Sequence, residues 1–346
     1  MTKKISILWF FIHFALEVIC FQFYVLYFGK AEIAALLAII YDTFAFFPQF
    51  YIGAAAEKYP DFPVGMAGAV MVLAGGLGAF VNVWVIRTAG FLLLSLGNAF
   101  VHVGGAKATL FTCKDKISPA SVFVSGGAFG VITGKLLGAA GKPFLIGFLI
   151  MAAAGVLVYF ADKEFNAAEI SLPRLDMADT RRDSTVVILF AFFVVSVRGL
   201  LGYGLPTAWN ITPVRNFCLF CMMGVGKALG GILSDSLGAK KTALVSTGLS
   251  LPLLLLGDNI MWVSLAGIAM FSMTMAATLG ILVSAVPKHP LMAYGLTTTG
   301  LLAGTLPVFF PSVRSFISHG SFLTVLTAVC FAALCYIMAP DKKKGR

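Results

Sequence analysis

The chain has 346 residues, of which 59% are hydrophobic and 12% charged, with a formal net charge of +10 at pH 7. A water-soluble domain carries roughly 25% charged residues on its surface, so most of this surface must face lipid. The positive charge does not indicate nucleic acid, because Lys and Arg are scattered through short loops without a basic patch interleaved with aromatics.

A bilayer-spanning helix needs about 20 mostly apolar residues, and such runs recur along the chain. The first, 7–28, follows Met1-Thr2-Lys3-Lys4. It is too long for a secretory leader, carries His13 and Glu17, and lacks a small-x-small cleavage site, so it is expected to remain as an uncleaved first membrane helix. The second, 32–55, contains Asp42 and Gln49 and closes on Gly53 and Glu57. Runs 64–84 and 88–106 follow, parted only by Asn82 to Arg87, and the fourth holds Asn98 and His102. The fifth, 119–140, is glycine-rich around Lys135, and the sixth is 143–161.

Residues 162–184 are polar and charged, including Arg174 and Arg181-Arg182-Asp183. They divide the chain into expected six-helix units, 1–161 and 185–346, joined by a cytoplasmic linker. The second unit reads 185–206 with Arg198 and Tyr203, 214–236 with Lys227, then 241–257, 260–286, 291–312 and 320–339. The count is expected to be twelve, within a range of ten to twelve, since the ninth run is short and the third and fourth nearly merge. The fold class is an all-α membrane protein, with no room for a soluble domain.

Most Lys and Arg fall in loops on the side of the N-terminus, among them Lys58, Lys107, Lys114, Lys163, Lys240, Lys241 and Lys288. Only Lys30, Arg87, Lys142, Arg215 and Arg314 fall on the other. This bias predicts both termini in the cytoplasm. The six cysteines form no disulfide or zinc framework, and Cys218 and Cys221 lie inside an apolar helix as small filler. No metal-ligand spacing, nucleophile elbow or phosphate loop is present, so neither an enzyme nor a cofactor is expected. Asn210-Ile-Thr212 is a nominal sequon followed at once by Pro213 and carries no weight.

Gly231-Ile-Leu-Ser-Asp235-Ser-Leu-Gly238-Ala-Lys240-Lys241 ends the eighth run. It resembles the loop signature of the major facilitator superfamily, G-x-x-x-D-x-x-G-x-[RK]-[RK]. A degraded copy, Gly53-Ala-Ala-Ala-Glu57-Lys58, stands at the corresponding place after the second run. Glycine permits close helix approach, the acid can meet a partner helix end, and the basic pair anchors in headgroups. The resemblance implies two pseudo-symmetric six-helix bundles that transport by alternating access.

In the fifth run, Gly126, Gly130, Gly134 and Gly138 recur every four residues and share one face, and Gly226, Gly230, Ser234 and Gly238 do so in the eighth. In the superfamily, helices 5 and 8 meet across the interface between halves, so these stripes are expected to face each other. The stretch Ser121-Val-Phe123 through Gly138 is similar to the fosmidomycin-resistance-type efflux branch, with Lys135 where that branch has proline. Asn98 to His102 resembles the same branch, with Val103 and Gly104 departing from its pattern.

Ionisable groups inside a bilayer are costly and mark function by default. Glu17, Asp42, Arg198, Lys227, Lys135 and His13 qualify. Arg198 could pair with Asp42 or Glu17, but three cations facing two carboxylates leave one positive charge for an anionic substrate. Glu17 is the leading proton carrier, with His13 and Asp42 next, and His102 either a shuttle or a helix–helix partner. Gln49, Asn98 and Tyr203 join Lys135, Arg198 and Lys227 as candidate substrate contacts. Gln22, Asn210 and Thr297-Thr298-Thr299 are further polar candidates, the threonines being expected to bond their own backbone. The expectation is a monomeric, proton-linked exporter of a small anionic solute in the cell membrane, exchanging protons or another counter-ion. An uptake symporter is the alternative. A non-transporting sensor of the same fold would be expected to have lost the buried charges.

Overall fold

The computed structural model describes residues 2–112, 115–164, 172–204, 209–257, 259–317 and 320–341. Lys114 and the basic residues of 342–346 therefore lie outside the described residues. Among those described, every regular element is helical. The first six membrane helices are α1 (Thr2–Tyr27), α2 (Ala34–Lys58), α3 (Val64–Phe80), α4 (Trp84–Thr112), α5 (Ser118–Ala139) and α6 (Leu145–Glu164). The second six are α7 (Ser184–Gly204), α8 (Pro213–Leu237), α9 (Ala239–Leu256), α10 (Met261–Ala285), α11 (Pro290–Phe309) and α12 (Gly320–Ile337). Ten of these are long and apolar enough to cross a membrane, while α3 and α12 are shorter apolar helices. The third and fourth runs stay separate, as the count of twelve expects, because a turn at Val81 to Val83 parts them.

Two helices are interrupted. In α2 the regular hydrogen-bonding breaks at Phe47-Pro48, since Pro48 has no N–H to offer the preceding turn. In α10 the break falls at Met273, between Met261–Ser272 and Thr274–Ala285. The end of α11 tightens into a 3-10 turn over Leu306–Phe309, where Pro307 sits.

Helix α1 packs most extensively on α5, α3 on α4, and α7 on α11, while contacts between the first six and last six helices run mainly through α5–α8 and α2–α11. The α5–α8 meeting is as expected, but the glycine stripes do not form it. A Cβ on Gly126, Gly130 or Gly134 would run into the backbone carbonyls of Phe10, Phe14 and Val18 of α1, and one on Gly138 into Val25. Gly226 and Gly230 abut Ala269 and Met273 of α10, and Ser234 bonds its own Gly230 carbonyl. The stripes are therefore packing devices within each set of six. In the second set Gly199 against Leu301 and Gly304 against Ser196 do for α7–α11 what the α5 stripe does for α1. Across the interface the close approaches are instead Gly231 on Ser121, Gly224 on the Phe129 ring, Gly53 on Leu291 and Gly295 on the Phe50 backbone.

The loop-signature acids sit where helix ends need them. Asp235 accepts from the N–H groups of Ile117 (3.0 Å) and Ser118 (2.9 Å) at the start of α5. Glu57 accepts from Leu291 N–H at 2.6 Å at the start of α11, with His289 Nδ1 at 3.1 Å. Two further carboxylates repeat the device. Asp162 at the end of α6 accepts from Met66 N–H (2.8 Å) in α3, and Asp341 after α12 accepts from Lys240 and Lys241 N–H (both 2.9 Å) in α9. A helix N-terminus leaves unsatisfied N–H groups and a partial positive charge, which a carboxylate satisfies on both counts.

The described part of the predicted linker is not a free strand. Asp179 N–H donates to Ile337 O (2.8 Å), Ala339 N–H to Met177 O (2.9 Å) and Met177 N–H to Ser284 Oγ (3.0 Å). Leu175, Met177 and Ala178 are buried against the ends of α10 and α12. The alternation of apolar and charged residues there, which reads as a solvated loop, is that of an extended segment with one face docked.

Candidate functional site

A cavity of about 380 Å³ lies between the two sets of helices. Seven ionisable residues singled out from the sequence line it: His13 and Glu17 from α1, Asp42 from α2, His102 from α4, Lys135 from α5, Arg198 from α7 and Lys227 from α8. They come together because each is the ionisable residue on the inward face of an otherwise apolar helix, and the lipid-facing surface excludes it.

On one wall, Glu17 is the hub. Its Oε1 accepts from Asn98 Nδ2 at 3.0 Å and lies 3.6 Å from His13 Nε2 and 3.9 Å from His102 Nε2. His13 is one turn before Glu17, so α1 places both on one face. The imidazoles of His13 and His102 meet edge to face at 4.3 Å. Asn98 also donates to the Tyr41 hydroxyl at 3.0 Å and stands behind the cavity lining, tying α1, α2 and α4 together.

Three basic side chains line the same cavity. Arg198 is buried and its Nη1 donates to Thr278 Oγ1 at 3.0 Å. Lys135 lies over the rings of Phe21 (5.2 Å) and Phe220 (4.8 Å), one on either side of the α5–α8 seam. Such a contact partly offsets the desolvation of an ammonium group. Among the described residues neither Arg198, Lys135 nor Lys227 has a carboxylate within ion-pair distance. The pairing of Arg198 with Asp42 or Glu17 that the sequence allowed is therefore not formed. Asp42 lines the cavity and an adjoining pocket of about 180 Å³ that it shares with Lys135, Tyr24 and Phe309.

Of the other candidates, Thr297 and Thr298 also line the cavity, whereas the two glutamines are placed elsewhere. Gln49 is fully buried outside the cavity and its amide donates to Ala45 O one turn back, at 2.7 Å. Gln22 is spent on the turn before α6, donating to Lys142 O and Pro143 O and accepting from Gly147 N–H. The hydroxyls of Thr297, Thr298 and Thr299 bond backbone carbonyls of their own helix, as expected, although Thr298 also reaches Phe46 O. The side chain of Tyr203 lies outside the described residues. Tyr294, Thr278, Phe220 and Asn216 were not anticipated. Tyr294, Phe220 and Asn216 line the cavity, as does Asn210, whose amide donates to Asn216 Oδ1 at 3.2 Å.

No protein-family model matches the sequence, and no curated protein does either. Solved structures do match in fold. The human organic anion transporter MFSD10 (TETRAN) superposes with a TM-score of 0.72 at 12% identity, over 96% of this chain and 99% of that one. The E. coli fucose:proton symporter FucP gives 0.66 at 13% identity, covering 96% of each chain. A bacterial homologue of the iron transporter ferroportin, in an outward-facing state, gives 0.60 at 14% identity, again covering 96% of each. With 96% of this chain matched to each of these structures, and with the twelve apolar helices of the described residues enclosing a cavity, this chain has the major facilitator fold.

Proposed function

We propose that this protein is a secondary active transporter that carries a small anionic solute through the membrane by alternating access, coupled to protons and working as an exporter. The observation that carries the reading is the charge arrangement of the cavity. Arg198, Lys135 and Lys227 face a shared space without ion-pair partners among the described residues, and Glu17 and Asp42 line the same space. A bound anion satisfies these cations, and a proton on Glu17 or Asp42 sets the charge of the empty cavity on its return. The likeness to an organic anion transporter supports the same substrate class. The two units 1–161 and 185–346, joined by 162–184, rock against one another about the α5–α8 and α2–α11 seams, with both termini in the cytoplasm.

Export rests on the helix 5 resemblance to the fosmidomycin-resistance-type branch. Uptake by symport is the second reading, favoured by the likeness to a fucose:proton symporter. Liposome experiments separate them. In the absence of a gradient, an external anion that alkalinises the outer medium moves together with protons and removes the exporter reading. Lys135→Ala tests the substrate path itself: transport is expected to be lost while expression and thermal stability stay near wild type. Unchanged transport would return Lys135 to a packing role.

A further inference from the structure

We propose that His13, Glu17 and His102 form a binding site for a divalent first-row transition-metal ion on the wall of the cavity. The three are buried, and their donor atoms lie within 4.8 Å of one another. What points to a metal is how the rings are held. His13 Nδ1 lies 3.0 Å from the carbonyl of Phe123, and His102 Nδ1 lies 3.0 Å from the carbonyl of Asn98. A carbonyl only accepts, so each Nδ1 carries the hydrogen, and in the neutral ring each Nε2 is then a bare lone pair. Both Nε2 atoms face the same Glu17 oxygen. Backbone carbonyls that fix the tautomer and turn the other nitrogen inward are the usual support of a metal-ligating histidine.

Asn98 Nδ2 donates to Glu17 Oε1 at 3.0 Å, but the two Nε2 lone pairs aimed at the same oxygen still repel it unless something positive lies among the three. A proton is a poor fit, because the Nε2–Oε1 separations of 3.6 and 3.9 Å exceed hydrogen-bond length and a proton serves only one pair. An ion with bonds of about 2.0–2.1 Å needs donors roughly 3.4 Å apart; the two Glu17–histidine separations, 3.6 and 3.9 Å, are close to that, and the three donors draw in slightly around the ion. Two imidazole nitrogens and one carboxylate oxygen suit zinc, iron(II), cobalt(II) or manganese(II) rather than calcium or magnesium. Because all three residues line the cavity, the ion's remaining positions are open to water or to an oxygen of the cargo. Lys227 lines the same cavity and opposes a cation there, so it sets the affinity rather than forming the site.

The probe is Co²⁺, titrated at pH 7.5 into the purified full-length chain in detergent, with Zn²⁺ as competitor. Visible d–d bands that saturate at one equivalent and are displaced by Zn²⁺ are expected. His13→Ala and His102→Ala should each weaken binding by about 10-fold or more, and Lys227→Met should tighten it. Should either histidine variant fold poorly, pulsed EPR of bound Cu²⁺ on the wild-type chain gives the answer alone, since modulation from two imidazoles is expected. Absence of binding at millimolar Co²⁺, or bound metal without imidazole coupling, overturns the site. The measurement is an equilibrium one, so its failure leaves anion transport untouched, and failure of anion transport leaves it standing.

Discussion

Replacing Asp235 by alanine should loosen the α5–α8 seam at the end where the helices are latched. Its carboxylate accepts two hydrogen bonds, at 3.0 and 2.9 Å, from the first N–H groups of α5, so one side chain of one set of helices caps a helix of the other. If the seam parts, those N–H groups return to water and the cap is lost in that state. Losing a helix cap costs about 0.5–2 kcal/mol, and a shift of about 1–2 kcal/mol changes a two-state ratio by a factor of about 5–30. The reporter is Ser121→Cys in a background with the native cysteines replaced, since Ser121 is fully buried beneath Gly231 of α8. When opening is fast relative to labelling, the rate with a maleimide follows the open population. Asp235→Ala should therefore accelerate labelling by about 5–30-fold, with Asp235→Asn between, because the amide keeps one acceptor oxygen but no charge. An unchanged rate would show that the bond is not specific to the closed end. A slowed rate would reverse the reasoning.

Other outcomes follow from the same geometry. Gly130→Ala should lower the melting temperature by an amount equivalent to about 1–3 kcal/mol of overpacking, because its Cβ meets the Phe14 carbonyl and the Glu17 side chain. Gly155→Ala is the control, since its Cβ meets only Leu73 at 3.6 Å and should be tolerated. Arg198→Met should abolish anion transport yet raise thermal stability, because it removes a buried cation that no carboxylate offsets among the described residues. Asp179→Asn should speed tryptic cleavage at Arg181 and Arg182, both exposed beside the docked segment. Hydrogen bonding from Arg181 holds the Asp179 carboxyl well below the usual carboxylate range. Its contribution is thus complete above about pH 4 and is lost only as pH falls further, so wild-type cleavage susceptibility should not change through this pair between pH 5 and 8.

The helices were legible because a spanning segment must be apolar over its whole length, and the inward-facing charges were legible because lipid tolerates them nowhere else. The loop acids were legible too, since a motif whose chemistry is helix capping names its own partner type. What could not be read was which surface each helix shows to which neighbour. Gly126 to Gly138 mark a face that packs closely, but four-residue spacing is identical whether the neighbour is α1 or α8. Gln49 and Asn98 shared the polarity of cavity residues and differ only in which way the helix turns them. In the sequence His102 joins His13 and Glu17 only as a proton shuttle, because metal-ligand spacing is visible only when ligands share one helix or loop. Asp162 and Asp341 looked like ordinary charges at helix ends, and their capping role depends on helices far away in sequence.

The two loop signatures, one intact and one degraded, explain each other once the caps are compared. In the second copy Gly238 takes a φ of +104°, the chain turns at once into α9, and a Cβ there would meet the Asp341 carboxylate. Glycine is obligatory on both grounds, and Lys240 uses its Nζ to bond Met338 O at 3.1 Å. The first copy has no such turn. Tyr59-Pro60-Asp61-Phe62-Pro63 makes a longer connection, and Lys107 of α4 donates to the carbonyls of Pro60 and Phe62. The helix that starts after it is again capped by a carboxylate from the sixth helix of its own set, Asp162 in place of Asp341. Glu57 likewise does for α11 what Asp235 does for α5, and the side chain longer by one methylene still reaches a helix-start N–H, at 2.6 Å. The physical requirement is a carboxylate at each of four helix starts on one end of the molecule. The residue pattern that meets it is free to drift wherever another side chain, here Lys107, takes over the exposed carbonyls of a longer loop.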